Sequence, residues 1–157
     1  MSSPLRLLIG SIGDDIHSVG MALLTLALRE EGLQVRNLGI GNSLDDFFEL
    51  AAAFDGILIS CNNGHADLYL DTFPHRLAAY RRGQGRPNLW YLGGNLSVQE
   101  GEEAVVRKYR RYGFDFVAPK PIGWRQVLEQ LRRDAYRRGI TPRGGARSED
   151  EEVLPPP

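Results

Sequence analysis

Five short apolar runs, separated by segments with helical spacing, limit the possible folds of this chain more than any other feature. A nearly continuous apolar run of this length is typical of a strand that is buried on both faces. Strands that alternate with helices favour a parallel sheet covered by helices on both sides. The sequence therefore predicts an α/β fold with a doubly wound, five-stranded parallel sheet. The predicted strands are residues 5–10, 33–40, 56–60, 88–94 and 114–119.

The segments between these runs predict five helices. The first begins after Ser18 and ends before Gly32, a residue type that commonly closes helices. Its residues Val19, Leu23 and Leu26 recur at helical spacing. The third helix follows a polar loop over 61–67 and continues to about Arg82. The other predicted helices are residues 43–54, 99–113 and 123–139.

The composition is that of a single soluble domain. The chain has 157 residues, of which 42% are hydrophobic and 25% are charged. A net charge of -1 at pH 7 gives no electrostatic reason to expect a nucleic-acid partner. We expect residues 1–139 to form the domain. Residues 140–157, which are rich in proline, glycine and acidic side chains, are expected to be a disordered tail.

Cysteine content and apolar segment length bear on the compartment. The chain contains one cysteine, Cys61, so it cannot form an intrachain disulfide, which favours a reducing compartment. The N-terminal residues lack the apolar core of a signal peptide, and no apolar segment is long enough to span a bilayer. We therefore expect a cytoplasmic protein with no membrane partner.

The loops that follow three of the predicted strands hold the unusual residues of the chain. In a doubly wound sheet, ligands bind beyond the carboxyl ends of the strands, where the strand order reverses. The loops at that edge cover residues 11–18, 60–66 and 93–98. We therefore expect the functional site among these three loops.

The first loop does not have the pattern of a phosphate-binding loop. A dinucleotide site requires G-x-G-x-x-G after the first strand. Here Gly10 and Gly13 are followed by Asp14 and Asp15, whose charges would repel a pyrophosphate. The sequence also contains neither a Walker loop nor a paired-cysteine or His-x-x-x-His metal motif.

Asp15 and His17 lie two residues apart in this loop, directly before the first helix. A neutral imidazole is a good ligand for a transition metal, and a carboxylate commonly holds its second ring nitrogen. The same spacing also fits a histidine that caps the helix or bonds a loop carbonyl. The spacing by itself leaves both interpretations open.

The motifs at three strand ends resemble those of a known family. "DDIHSVG" (14–20), "ISCN" (59–62) and "YLGG" (91–94) are similar to the D-x-H-x-x-G, S-x-L and G-G motifs of the flavodoxin-like or Rossmann-like cobalamin-binding fold. Adenosylcobalamin mutases and methylcobalamin enzymes share that fold. From about Leu5 to Leu131 the chain most resembles the small cobalamin-binding subunits of glutamate mutase (methylaspartate mutase). Further similarity lies in "NLGIGNSLDDF" and "YGFDFVAPK".

The resemblance implies a role for individual residues in holding cobalamin with its own base displaced from cobalt. His17 would be the lower axial ligand, and Asp15 would hold the other ring nitrogen of His17. The displaced nucleotide tail would lie between strands one and three, beside Gly93 and Gly94. Ser60 would bond the tail, and Gly20 would bring the helix close to the corrin. The other implied cofactor-binding residues are Ser11, Gly13, Asp14, Ile16, Ser18, Val19, Asn62, Gly64 and Asn95.

The resemblance departs from the family pattern at Asn62. The S-x-L motif has leucine where this chain has asparagine, so a polar amide replaces an apolar contact to the nucleotide tail. That replacement affects the expected affinity for the tail more than the identity of the cofactor.

The resemblance also implies an activity and a partner. The implied cofactor is adenosylcobalamin, and a separate large barrel-type subunit would carry the substrate site. Four residues precede the first predicted strand, so we expect no helical cap of the kind that methyl-transferring relatives carry. The implied reaction interconverts glutamate and 3-methylaspartate by a radical mechanism. A stand-alone cobalamin carrier or a cobalamin-responsive sensor is the alternative.

Overall fold

A computed structural model describes residues 4–83 and 87–141 and contains a single parallel sheet. The strand order is β2-β1-β3-β4-β5, which reverses between β1 and β3. All the pairings are parallel. The predicted fold class is therefore confirmed. The strands are β1 (Arg6–Ser11), β2 (Gln34–Asn37), β3 (Gly56–Ser60), β4 (Leu89–Gly93) and β5 (Phe116–Ala118).

Helices cover both faces of the sheet, because successive residues of the central strands point to opposite faces and are apolar on both. Two helices cover one face: α1 (Val19–Glu30) and α6 (Trp124–Arg138). Four helices cover the other: α2 (Leu44–Leu50), α3 (Ala66–Leu70), α4 (Phe73–Gly83) and α5 (Glu102–Tyr112). Both layers have a buried apolar core.

The segment after β3 differs from its prediction as one helix. It forms two helices, α3 and α4, and Pro74 lies in the first turn of the second. Proline has no amide hydrogen and cannot continue an existing helix, but it fits the first turn of a new one. The strand predicted over 33–40 is also shorter, because the chain turns at Gly39 and Gly41, both of which have positive φ.

Helix α1 begins close to its predicted start, but the apolar residues that predicted it (Val19, Leu23 and Leu26) lie on the face opposite the core. Met21 and Leu28 are buried with Thr25 against the sheet. Val19 and Leu23 are instead 73% and 61% exposed. The predicted helix is therefore correct, and the periodicity that indicated it belongs to an apolar face without a covering element among the described residues.

The packed domain extends slightly beyond residue 139. Ile140, the first residue of the predicted tail, is buried, and its amide donates to the carbonyl of Ala135. The remainder of the predicted tail, from residue 142 onward, lies outside the described residues. Within the described ranges, no helix has both the length and the apolar character that a membrane crossing requires.

Candidate functional site

The register of the sheet creates a crevice on the face covered by α1 and α6. Since side chains alternate along a strand, residues two apart point to the same face. An inner row across four strands is large and apolar or aromatic: Ile9, Leu58, Tyr91 and Phe116. An outer row, one step nearer the carboxyl ends, is small: Ser11, Ser60, Gly93 and Ala118. The small side chains of the outer row leave a space above the sheet, and the large side chains of the inner row bound that space on the side away from the carboxyl edge.

The resulting crevice has a volume of about 380 Å³ and lies between α1 and α6. The crevice is wider than the predicted space between the first and third strands, because residues of β4 and β5 also line it. Of the predicted site residues, five line the crevice: Gly20, Ser60, Asn62, Gly93 and Gly94.

Asp15 is the buried centre of the first loop, with no side-chain exposure. One carboxylate oxygen accepts from the Ser11 hydroxyl at 2.9 Å and from the Asn62 amide at 2.8 Å. The other accepts from the backbone amide of His17 at 3.2 Å and contacts the His17 ring at 2.6 Å. Asp15 therefore ties the end of β1, the end of β3 and the histidine together.

The environment of Asp15 keeps its carboxyl ionised. Burial by itself would raise the pKa, but hydrogen bonds from the His17 ring, the Asn62 and His17 amides and the Ser11 hydroxyl hold the pKa below its ordinary value of 3.8. An ionised carboxylate can only accept hydrogen bonds. The Nδ1 atom of His17 must therefore donate, and in the neutral imidazole the lone pair then lies on Nε2.

His17 itself faces outward. Its side chain is 63% exposed, and its Nε2 atom has no hydrogen bond to any described residue. Ser18 is the N-cap of α1 and makes no side-chain bond to it, so His17 does not cap the helix. The carboxylate pairing, one of the two interpretations that the spacing left open, is the one observed. No group of three or more metal-ligand side chains occurs in the described part of the chain.

Asn62 links the histidine loop to the crevice. Its backbone amide holds Asp15, while its side chain lines the crevice. The side-chain nitrogen donates to the Ser60 hydroxyl at 3.2 Å, and the side-chain oxygen accepts from the Asn95 amide at 3.2 Å. The Asn62 side chain therefore joins the loops after β3 and β4.

The chain matches no protein-family model. It is 34% identical over 129 residues to the glutamate mutase sigma subunit of Halobacterium salinarum, an alignment that covers 80% of this chain and 84% of the relative. It is 33% identical over 135 residues to the glutamate mutase sigma subunit of Escherichia coli O157:H7, covering 84% and 89%. The chain belongs to the glutamate mutase sigma subunit family.

Solved structures agree with the fold of this sigma-subunit family member. A cobalamin-binding protein from Desulfitobacterium hafniense superposes with a TM-score of 0.56 at 18% identity, covering 82% of this chain and 59% of that one. A pilus assembly-related protein from Burkholderia pseudomallei superposes with a TM-score of 0.63 at 15% identity, covering 87% and 92%. At these identities the likeness establishes the shared fold alone.

Two glycines of the crevice are not required by the packing of this sigma-subunit family member. A Cβ built at Gly20 meets nothing within 4 Å, and one at Gly93 makes only ordinary contacts of 3.7 Å with Ala118. Glycine inside the first turn of a helix is unfavourable by about 1 kcal/mol relative to alanine. The packing of the chain would therefore tolerate a side chain at either position, and the absence of one enlarges the crevice.

Three other predicted glycines have structural reasons within the chain. Gly13, Gly64 and Gly94 all have positive φ. A Cβ at Gly13 would lie 2.3 Å from the Tyr69 ring, and one at Gly94 would lie 2.3 Å from the Cys61 carbonyl. These glycines shape the loops that hold Asp15 and Asn62.

The remaining predicted site residues lie outside the crevice. Ile16, Ser18 and Val19 are exposed around His17. Asp14 is also exposed and lines, with Gly13, a separate cavity of about 430 Å³ beside Tyr69 and Arg76. Gly64 donates its amide to the Asn95 carbonyl, which joins the loops after β3 and β4 a second time.

Sequence reasoning missed the contribution of β5 and α6 to the crevice. Beyond the inner row, Met21 and Leu24 of α1 line it, as do Trp124 and Val127 of α6. A signal was present, since β3, β4 and β5 each place a small residue two positions beyond a large one near their carboxyl ends. That alternation identifies a crevice only once the register aligns the strands.

Proposed function

We propose that this chain is the cobalamin-binding subunit of a glutamate mutase and holds adenosylcobalamin with His17 as the lower axial ligand to cobalt. The observation that carries the proposal is the Asp15–His17 pair. Asp15 holds Nδ1 of the ring at 2.6 Å and also bonds the backbone amide of Asn62, which lines the crevice, while Nε2 has no partner among the described residues. Relatives over most of the chain bear the name glutamate mutase sigma subunit.

The residues present fit the cofactor. A corrin already supplies four nitrogen ligands to its cobalt, so the protein needs to contribute one ligand rather than a cluster. His17 is such a single donor, and the crevice between α1 and α6 would hold the displaced nucleotide tail. Gly20 and Gly93 leave space in the crevice that a side chain would fill. Ser60 and Asn62 place polar groups at its outer row.

Adenosylcobalamin, when bound, supplies the carbon-centred radical on which carbon-skeleton rearrangement depends. The chain's own residues set its position and its axial ligand. Asp15 holds the proton on Nδ1, which fixes the tautomer and raises the basicity of Nε2. Ser11 and the Asn62 amide fix Asp15 in turn, so the donor atom has one orientation.

The surface around His17 supports a partner subunit. Ile16, Val19 and Leu23 are each more than half exposed next to the proposed cobalt ligand. A large barrel-type subunit would cover this apolar surface, carry the substrate and exclude water from the radical. We propose that the complex interconverts glutamate and 3-methylaspartate and is cytoplasmic.

The axial-ligand role is tested by electron paramagnetic resonance of the Co(II) cofactor bound to the chain. Incorporation of nitrogen-15 histidine should change the nitrogen splitting, because the lower ligand comes from the protein. His17→Gln should abolish that change and weaken binding, whereas His75→Gln, at an exposed site on α4, should alter neither. A splitting that ignores the label with cofactor bound would falsify the axial-ligand role.

The mutase role is tested separately by pairing the chain with a candidate large subunit. We expect isomerisation of glutamate only when both chains and adenosylcobalamin are present. Tight cobalamin binding without isomerase activity in any pairing would instead establish the carrier or sensor function.

A further inference from the structure

We propose that the crevice discriminates among cobamides by the nucleotide base that ends the tail, favouring a benzimidazole over a purine. The inference rests on the proposed function, since it requires the tail to enter the crevice. The base is the terminal group of that tail, beyond the phosphate and ribose, so the inner row is the part of the crevice that would contact it.

The inner part of the crevice is lined mainly by apolar and aromatic side chains. The inner row forms its floor, and Leu24 of α1 and Val127 of α6 face it from above. Polar side-chain groups line the crevice near the carboxyl edge of the sheet instead. Ser60 and Asn62 are hydrogen-bonded to each other there, Lys120 follows β5 and pairs with Glu102, and Trp124 begins α6. The polarity of the crevice therefore falls from its mouth to its inner end.

Tyr91 carries the one side-chain hydroxyl of the inner row, and that hydroxyl is already engaged. It donates to the carboxylate of Asp134 on α6, which also accepts from Gln130 at 3.1 Å. Neither Asp134 nor Gln130 lines the crevice. Tyr91 therefore lines the crevice with its ring, while its hydroxyl proton is donated to Asp134 outside the crevice.

The two base types differ in what they need from such surroundings. A dimethylbenzimidazole displaced from cobalt has an apolar ring with two methyl groups and one ring nitrogen that needs a partner. An adenine has an exocyclic amine and several ring nitrogens. Burying polar groups without partners disfavours binding, and the size of that penalty corresponds to roughly tenfold to a hundredfold in affinity. The crevice should therefore bind the benzimidazole form more tightly by about that factor.

The test compares three corrinoids on the full chain: aquacobalamin, its adenine-containing analogue, and cobinamide, which has no nucleotide. Quenching of tryptophan fluorescence reports binding, because Trp124 lines the crevice. Each dissociation constant is corrected for the base-on equilibrium of the free cobamide, which its acid titration gives. We expect a preference of at least tenfold for the benzimidazole form. Equal or tighter binding of the adenine form overturns the proposal.

A pair of variants on α1 locates the preference in the crevice. Leu24→Gln places an amide donor and acceptor in the crevice and should narrow the preference several-fold. Leu26→Gln is the matched control, because Leu26 is 42% exposed and does not line the crevice. If Leu26→Gln narrows the preference as much as Leu24→Gln, the crevice is not its source. If Leu24→Gln does not fold, the proposal is decided by the ratio of the two dissociation constants measured on the wild-type chain.

The same measurements separate this inference from the proposed function. If neither cobamide binds more tightly than cobinamide, the tail does not occupy the crevice and the proposed binding mode fails with the preference. If both cobamides bind tightly and equally, only the preference fails.

Discussion

Asp15 has two roles at the scale of single residues, and the motif predicts only one of them. The spacing to His17 indicates a carboxylate that orients an imidazole. The structure adds that Asp15 is buried and accepts from Ser11 and from the Asn62 amide. Its neighbour His17 is exposed and holds nothing else in place. Asp15 therefore contributes to stability as well as to ligand orientation, whereas His17 contributes to ligation.

Asp15→Asn should consequently lower stability more than His17→Gln, although His17→Gln should cost more cobalamin affinity. An asparagine side chain offers one acceptor oxygen where two carboxylate oxygens each have two partners, so the two groups that bond the replaced oxygen lose their acceptor. We expect a loss of about 1–3 kcal/mol in the free energy of unfolding at neutral pH. Chemical denaturation of both variants without cofactor measures it. A smaller loss for Asp15→Asn than for His17→Gln would contradict this division of roles.

The free energy of unfolding should also depend on pH through the ionisation of Asp15. The pKa of Asp15 is lowered in the folded state, so its ionised form contributes stability above the ordinary value of 3.8. That contribution should disappear as the pH falls through the lowered folded pKa. Asp15→Asn should therefore differ from the wild type most above pH 4 and converge with it at lower pH. A constant difference across the acid range would exclude this role for the carboxylate.

Asn62→Leu introduces the leucine that the resemblance to an S-x-L motif leads one to expect, and it tests what the side-chain amide contributes. The variant keeps the backbone bond to Asp15 but loses the side-chain bonds to Ser60 and Asn95. We expect about 1 kcal/mol of lost stability, and several-fold tighter cobalamin binding, because Ser60 and an apolar side chain become available to the tail. Asn63→Leu is the control, since Asn63 makes loop hydrogen bonds but does not line the crevice. Weaker cobalamin binding by Asn62→Leu would show that the amide itself contacts the tail.

At the scale of elements, helix α1 shows what periodicity can and cannot predict. Apolar residues lie on both of its faces, so helical spacing identifies the helix without indicating which face is buried. Thr25 occupies a buried position because its hydroxyl bonds the Met21 carbonyl at 2.8 Å, a contact that polarity alone does not reveal. Pro74 was the sequence signal for a break between α3 and α4. It could mark the start of a second helix only if the end of α3 was already known.

Gly20 gives a prediction for this helix. Gly20→Ala should stabilise the chain without cofactor by up to about 1 kcal/mol, because alanine favours the helix and its Cβ meets open space. The same Cβ occupies space in the crevice, so cobalamin affinity should fall. Gly83→Ala, in the last residue of α4, is the control, and it should leave cobalamin affinity unchanged. An unchanged affinity in Gly20→Ala would mean that cobalamin does not approach this turn.

At the scale of the whole molecule, the architecture could be predicted from sequence, whereas the shape of the crevice could not. Strand positions and their alternation with helices depend on local patterns, which sequence displays. The crevice depends on how Ser60, Gly93 and Ala118 align across three strands, and no local pattern states that register. The Asp15–His17 pair was predictable because both residues belong to one loop, whereas the bond from Asn62 joins residues 47 positions apart.

The crevice joins the sheet to α1 and α6, so a ligand within it should stabilise the molecule as a unit. Binding to the folded state at a free concentration of 100 times Kd adds about 2.7 kcal/mol to the free energy of unfolding. For a chain of this length, that corresponds to a rise in Tm of roughly 5–10 °C. His17→Gln, at the same cobalamin concentration, should show a much smaller rise because its affinity is lower. Thermal unfolding followed by circular dichroism measures both, and an equal rise in the two proteins would place the binding energy in the crevice rather than in the cobalt–histidine bond.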